Sequence, residues 1–202
     1  FFISLAYINR SNSKENSLLH NLTAVNRKEN IMLSAQEWAV MTSDIFRIHS
    51  LFPREPEKAF RRFDGVTPYG VHPVLLAMFL LNEESLPEEF RVRGAKALLA
   101  HDLIEDTTAE LPSWVKDSPD ASPLVHGLTF SKRENKFVEI FNRGEEVILL
   151  GFFDNTFNLT ATGRMKTERL AEYREGVRGH LAYIEPRYPR LEIVKMAKAF
   201  LQ

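Results

Sequence analysis

The sequence predicts an all-α fold, and three observations carry that expectation. Apolar residues recur at helical spacing through most of the chain beyond residue 34. Helix-start signals stand where several of those patterns begin. No segment alternates polar and apolar residues over a useful strand length.

Taken in order, residues 1–33 read as a poorly ordered N-terminal extension, in which Asn12, Asn16, Asn21, Asn26 and Asn30 alternate with Ser and Lys without periodicity. It is either sequence upstream of a natural start at Met32 or a functional tail. Residues 34–202 read as the folded domain. Ser34 with Glu37 forms a capping box, and Trp38, Met41, Ile45 and Ile48 follow on one helical face. Pro53, Pro56, Gly65, Pro68 and Gly70 make residues 52–70 an irregular connector. The second helix starts at His72-Pro73, with Pro in the first turn, and runs through Leu80-Leu81. Ser85 and Glu88 predict a second capping box ahead of a helix carrying Val92, Ala95, Leu98 and Leu99 and ending near Asp106. Pro112, Pro119 and Pro123 punctuate a loop-rich stretch with one short helix after Pro123. Helical patterns resume over 134–142 and 145–158, and two closing helices span Lys166 to Tyr183 and Pro189 to Leu201.

At 202 residues and 44% hydrophobic content the chain can bury a sizeable core. Lys plus Arg number 26 against 27 Asp plus Glu, so the basic footprint of a nucleic-acid binder is missing. Cysteine is absent, which removes disulfides, thiolate nucleophiles and sulfur-ligated metals. No apolar run is long enough to span a membrane, and a reducing, cytoplasmic setting is the default expectation. Any metal must therefore sit on imidazoles and carboxylates.

The richest stretch is His101-Asp102-Leu103-Ile104-Glu105-Asp106-Thr107. On a helix His101 and Glu105 share one face, as do Asp102 and Asp106. One reading is a solvated helix end. Against it, acids at a helix C-terminus oppose the macrodipole, and the run follows directly on an apolar segment. A bound cation resolves both conflicts. His72 opens an apolar helix at a Pro-flanked turn, and Asp154 is almost the only charge between Val147 and Asn158. Two imidazoles and two carboxylates with no sulfur suit one divalent ion, Mn, Fe, Mg, Co or Zn, rather than a soft metal.

These residues, in this order, resemble the HD phosphohydrolase superfamily. His72-Pro73, then His101-Asp102-x-x-Glu105-Asp106-Thr107, then Asp154 with Asn158 four residues on, are nearest to the hydrolase domain of RelA/SpoT-type alarmone enzymes and their small metazoan homologues. The approach Arg62 to Gly65, then Pro68-Tyr69-x-x-His72-Pro73, and the segment Gly127-Leu128-Thr129, are similar as well. The resemblance implies an HD-domain helical bundle around one metal site, held by His72, His101, Asp102 and Asp154. It implies Glu105 and Asp106 as the catalytic acidic pair, and Arg62, Tyr69 and Asn158 as substrate contacts. The chain departs from the pattern at Gly151, Asn155 and Phe157, where the family has Lys, Arg and His, and at Phe130, where it has Lys.

The function so implied is hydrolysis of a nucleotide-like phosphoester, as in a guanosine-3',5'-bis(diphosphate) 3'-diphosphatase. The alternatives are an HD-type 5'-nucleotidase and a catalytically idle nucleotide-binding module. Arg61-Arg62 and Lys132-Arg133 are further phosphate-contact candidates, and His126 is either an outer partner of the site or an ordinary turn histidine. His20, His49 and His180 belong to no constellation and read as surface or structural residues.

Overall fold

The computed structural model describes residues 33–61, 65–130, 136–163 and 165–202. The expected N-terminal extension and the candidates Arg62, Lys132, Arg133 and His20 lie outside the described residues. Within them the regular structure is helical, and the extended contacts are isolated bridges, Pro53 with Thr107 and Phe60 with Pro68.

Helix α1 is Ala35–Leu51, and both halves of its capping box form: the Ser34 hydroxyl oxygen accepts from Glu37 N–H, and a Glu37 carboxylate oxygen accepts from Ser34 N–H. Met41, Ile45 and Ile48 turn inward as their spacing predicts. The connector holds a short 3-10 turn at Pro56–Ala59. Helices α2 (Val71–Leu81) and α3 (Glu88–Ala100) then pack along each other. A Cβ built on Gly94 would come within 2.8 Å of a Leu80 methyl and 3.0 Å of a Leu150 methyl, so the small residue sets this close approach.

The second capping box does not form. Pro87 occupies the N-cap position without a side-chain bond, and the Ser85 hydroxyl donates to Glu83 instead. Ser85 lies two residues too early to cap a helix whose first turn begins at Glu88. The chain also turns at His101 and Asp102 before the short helix α4 (Leu103–Asp106). Beyond it come α5 (Ser113–Lys116), which the sequence reading passed over, and α6 (Ser122–Leu128) with Pro123 in its first turn.

Helix α7 (Lys136–Glu139) leads through a 3-10 turn at Ile140–Asn142 to α8 (Glu145–Asn158). Every residue from Val147 to Thr156 is buried, which explains why this helix is apolar all round. Around it pack α2, α3, α6, α9 (Thr167–Ile184) and α10 (Glu192–Leu201). Phe152, Phe153, Leu150, Leu76, Leu98 and Leu99 are among its fully enclosed neighbours and members. Among the described residues no helix is long and apolar enough to cross a membrane.

Candidate metal centre

Three elements bring the charged residues of this core to one point. His72 is the second residue of α2, His101 and Asp102 form the turn between α3 and α4, and Asp154 projects from α8. His72, His101 and Asp102 offer ligand atoms that all lie within 4.8 Å of one another. Asp154 joins them: its Oδ1 is 3.1 Å from His72 Nε2 and 3.4 Å from His101 Nε2. Asp102 Oδ2 is 3.1 Å from His101 Nε2.

The donor set fits a cation. His101 Nδ1 stands 2.7 Å from the Leu98 carbonyl, which only accepts, so Nδ1 carries the hydrogen. Nε2 then presents a lone pair, fully buried and without a hydrogen-bond partner among the described residues, toward two carboxylate oxygens. Three lone pairs aimed at one another repel unless a positive charge lies between them. Burial opposes a protonated His101, yet the Asp102 and Asp154 carboxylates outweigh it and hold the pKa well above the ordinary imidazole value. The same demand for positive charge is what a divalent ion on nitrogen and oxygen ligands meets.

Around this point the acids are individually held. The Tyr69 hydroxyl lies 2.9 Å from Asp102 Oδ2 and 2.7 Å from Asp106 Oδ2, joining the two acids that share a helical face. Burial and those two carboxylates push the Tyr69 pKa well above 10, so the phenol stays a donor. Lys58, from the 3-10 turn, donates to the other oxygen of Asp106. Glu105 lines the same cavity, and its Oε1 accepts the Phe130 backbone N–H at 2.6 Å. Arg54 closes the end of α4 by donating to the carbonyls of Ile104, Glu105 and Thr107. It supplies the cation that acids at a helix C-terminus call for, so the macrodipole conflict is met by Arg54 rather than by a metal.

Asp154 is fixed through both oxygens. Asn158, one turn on, donates to Oδ1 at 2.7 Å, and Lys136 lies 3.2 Å from Oδ2. Burial would raise the Asp154 pKa, but Lys136 and the two histidines hold it well below the carboxylate range. The Asn158 carboxamide oxygen in turn accepts from Arg61.

These groups form the floor of a cavity of about 890 Å³. Lys58, Arg61, Lys136 and Arg169 all line it, together with Phe60, Phe130, Phe137 and Tyr173. Arg169, Glu172 and Tyr173 reach it from one face of α9, as residues three and four apart must. Of the sequence candidates, Tyr69, His101, Asp102, Glu105, Asp106, Asp154 and Asn158 line the cavity, and His72 is buried just behind it. His126 is exposed on α6 and takes no part. Phe130 does reach the site, through its backbone N–H and its ring, which Arg143 covers at 4.1 Å.

The departures from the family pattern have a packing cause. A Cβ on Gly151 would stand 2.2 Å from Ile140 Cδ1, so any larger side chain here requires Ile140 to shift. Asn155 is buried on the same side of α8, in contact with Tyr173 and with His180 Nδ1. His180 Nε2 lies 2.8 Å from the Ile148 carbonyl, which makes it the structural residue expected. Phe157 packs between His72 and Phe79. The cations missing from α8 thus enter from other elements, and sequence reasoning missed Lys58, Lys136 and Arg169 because none lies in a motif. No family model matches the chain, and no curated protein matches it, so the resemblance stands on the motif residues themselves.

Proposed function

We propose that the protein is a metal-dependent phosphohydrolase of the HD type, cleaving a phosphoester on a nucleotide-like small molecule. The observation that supports it most is the buried convergence of His72, His101 and Asp102, joined by Asp154, at the floor of a cavity lined by charged residues of both signs. His72, His101, Asp102 and Asp154 would hold one divalent ion; manganese is our first choice by the resemblance to HD phosphohydrolases, and Fe, Mg, Co or Zn suit the same ligands. Such an ion would lower the pKa of its bound water toward neutrality and polarise a phosphoryl oxygen.

The chain's own groups supply the rest. Glu105, positioned by the Phe130 N–H, orients the attacking water and takes its proton. Asp106, which accepts from Tyr69 and Lys58, holds a ligand in place, and the proton that Glu105 takes from the water is passed on to the leaving oxygen. Arg61 and Arg169 face the phosphate-bearing side of a ligand, while Phe60, Phe137 and Tyr173 offer ring faces for a base. Lys58, Arg61, Lys136 and Arg169 stand among seven carboxylates in the cavity lining, and guanosine 3',5'-bis(diphosphate) enters the substrate class through the resemblance of the motif residues. A panel of nucleoside 5'-monophosphates and that compound, assayed with Mn²⁺, tests the proposal. Hydrolysis that chelation and Asp102→Ala both abolish is expected; an Asp102→Ala protein with undiminished turnover refutes it.

A further inference from the structure

Lys136 stands outside every motif the sequence offers, yet its ammonium touches the centre. Its Nζ is 3.2 Å from Asp154 Oδ2, and only 21% of its side chain is exposed. The two oxygens of Asp154 are divided. Oδ1 faces His72, His101 and Asn158, and Oδ2 is left to Lys136 at the cavity wall. The Phe137 ring beside it, 5.9 Å from Nζ, edges against Tyr173 and keeps the stem in place.

Charge bookkeeping gives this contact a consequence. Asp102 and Asp154 neutralise a divalent ion and Lys58 offsets Asp106, so with the ion bound Lys136 offsets the remaining Glu105 carboxylate, and without it the floor would be net negative. Its charge also opposes the ion directly and draws electron density from the Asp154 carboxylate. Resting on the metal-centre reading above, we propose that Lys136 is a positioning residue that sets the charge of this centre. It fixes Asp154 through Oδ2, weakens that carboxylate's hold on the ion, and leaves the cavity floor able to draw phosphoryl oxygens. A merely structural lysine would act in the opposite sense, because removing it would loosen Asp154 and weaken metal binding.

The test is calorimetric titration of the full chain with Mn²⁺, then of the Mn²⁺-loaded protein with inorganic phosphate. Lys136→Met and Lys136→Gln remove the charge, the second keeping a hydrogen-bond donor should the first fold poorly; Lys136→Arg restores it. Both neutral variants are expected to bind Mn²⁺ about tenfold or more tighter and phosphate about tenfold or more weaker. Lys136→Arg is expected to stay within about threefold of the parent in both titrations. Unchanged or weaker Mn²⁺ binding in the neutral variants, or unchanged phosphate binding, overturns the role of Lys136. If the parent protein binds Mn²⁺ and His101→Ala does not, such a failure leaves the metal centre standing. A parent that binds no Mn²⁺ overturns both.

Discussion

His49 is the sharpest place to probe the energetics around the centre. Its ring is 1% exposed and stacks on Tyr69, with centroids 4.6 Å apart and planes 18° from parallel. Both ring nitrogens are buried without a hydrogen-bond partner among the described residues. Burial drives its pKa down to about 4 from 6.5, only partly opposed by Asp102 and Asp106. The unfolded chain therefore binds this proton at a higher pH than the folded one. The folded state keeps its full advantage above pH 6.5 and loses it as pH falls toward 4. Between pH 7.5 and pH 5 the loss attributable to His49 is about 2 kcal/mol.

His49→Phe keeps a flat ring against Tyr69 and removes both nitrogens. At pH 7.5 the variant should be within about 1 kcal/mol of the parent, since no hydrogen bond is given up. At pH 5 it should have gained about 2 kcal/mol relative to the parent. Urea unfolding of both proteins in chelator at the two pH values reads this directly, and titrations common to both cancel in the difference. A difference that is the same at both pH values would refute the reasoning, because it would mean that His49 is not held neutral by burial.

Three further outcomes follow from particular contacts. Tyr69→Phe keeps the His49 stack but removes the hydroxyl between Asp102 and Asp106, so kcat should fall about 10- to 100-fold with KM little changed; steady-state kinetics check it. Arg54→Ala uncovers the three carbonyls that end α4, costing about 1–2 kcal/mol in urea unfolding and speeding amide exchange around Asp106. Gly151→Ala drives a methyl into Ile140 and should cost about 1–3 kcal/mol by the same assay; an unchanged midpoint would show that Ile140 moves aside freely.

The helices were legible where one face, or the whole circumference, must be apolar. The α8 run from Val147 to Phe153 and the Met41, Ile45, Ile48 stripe of α1 declare themselves by composition and spacing. The residues His72, His101, Asp102 and Asp154 were legible because each is a polar group in an apolar setting, and such groups need partners. Boundaries read less well. Ser85 and Glu88 have the spacing of a capping box, but Pro87 fixes the cap and Glu83 takes the hydroxyl. The outer partners were not legible at all. Lys58 and Lys136 lie in stretches where a lysine ordinarily faces water. Only the fold brings them to Asp106 and Asp154, across 48 and 18 residues of chain. The Phe130 N–H that holds Glu105 carries no side-chain signal.

The central claim is that His72, His101, Asp102 and Asp154 form one metal centre. Elemental analysis after Mn²⁺ loading and gel filtration tests it most directly, on the parent and on His101→Ala and Asp154→Asn. The account predicts a single divalent ion per parent chain and a loss of that ion in both variants, with the helical circular dichroism preserved. A parent chain that leaves the column without metal, or variants that retain it in full, would contradict the account.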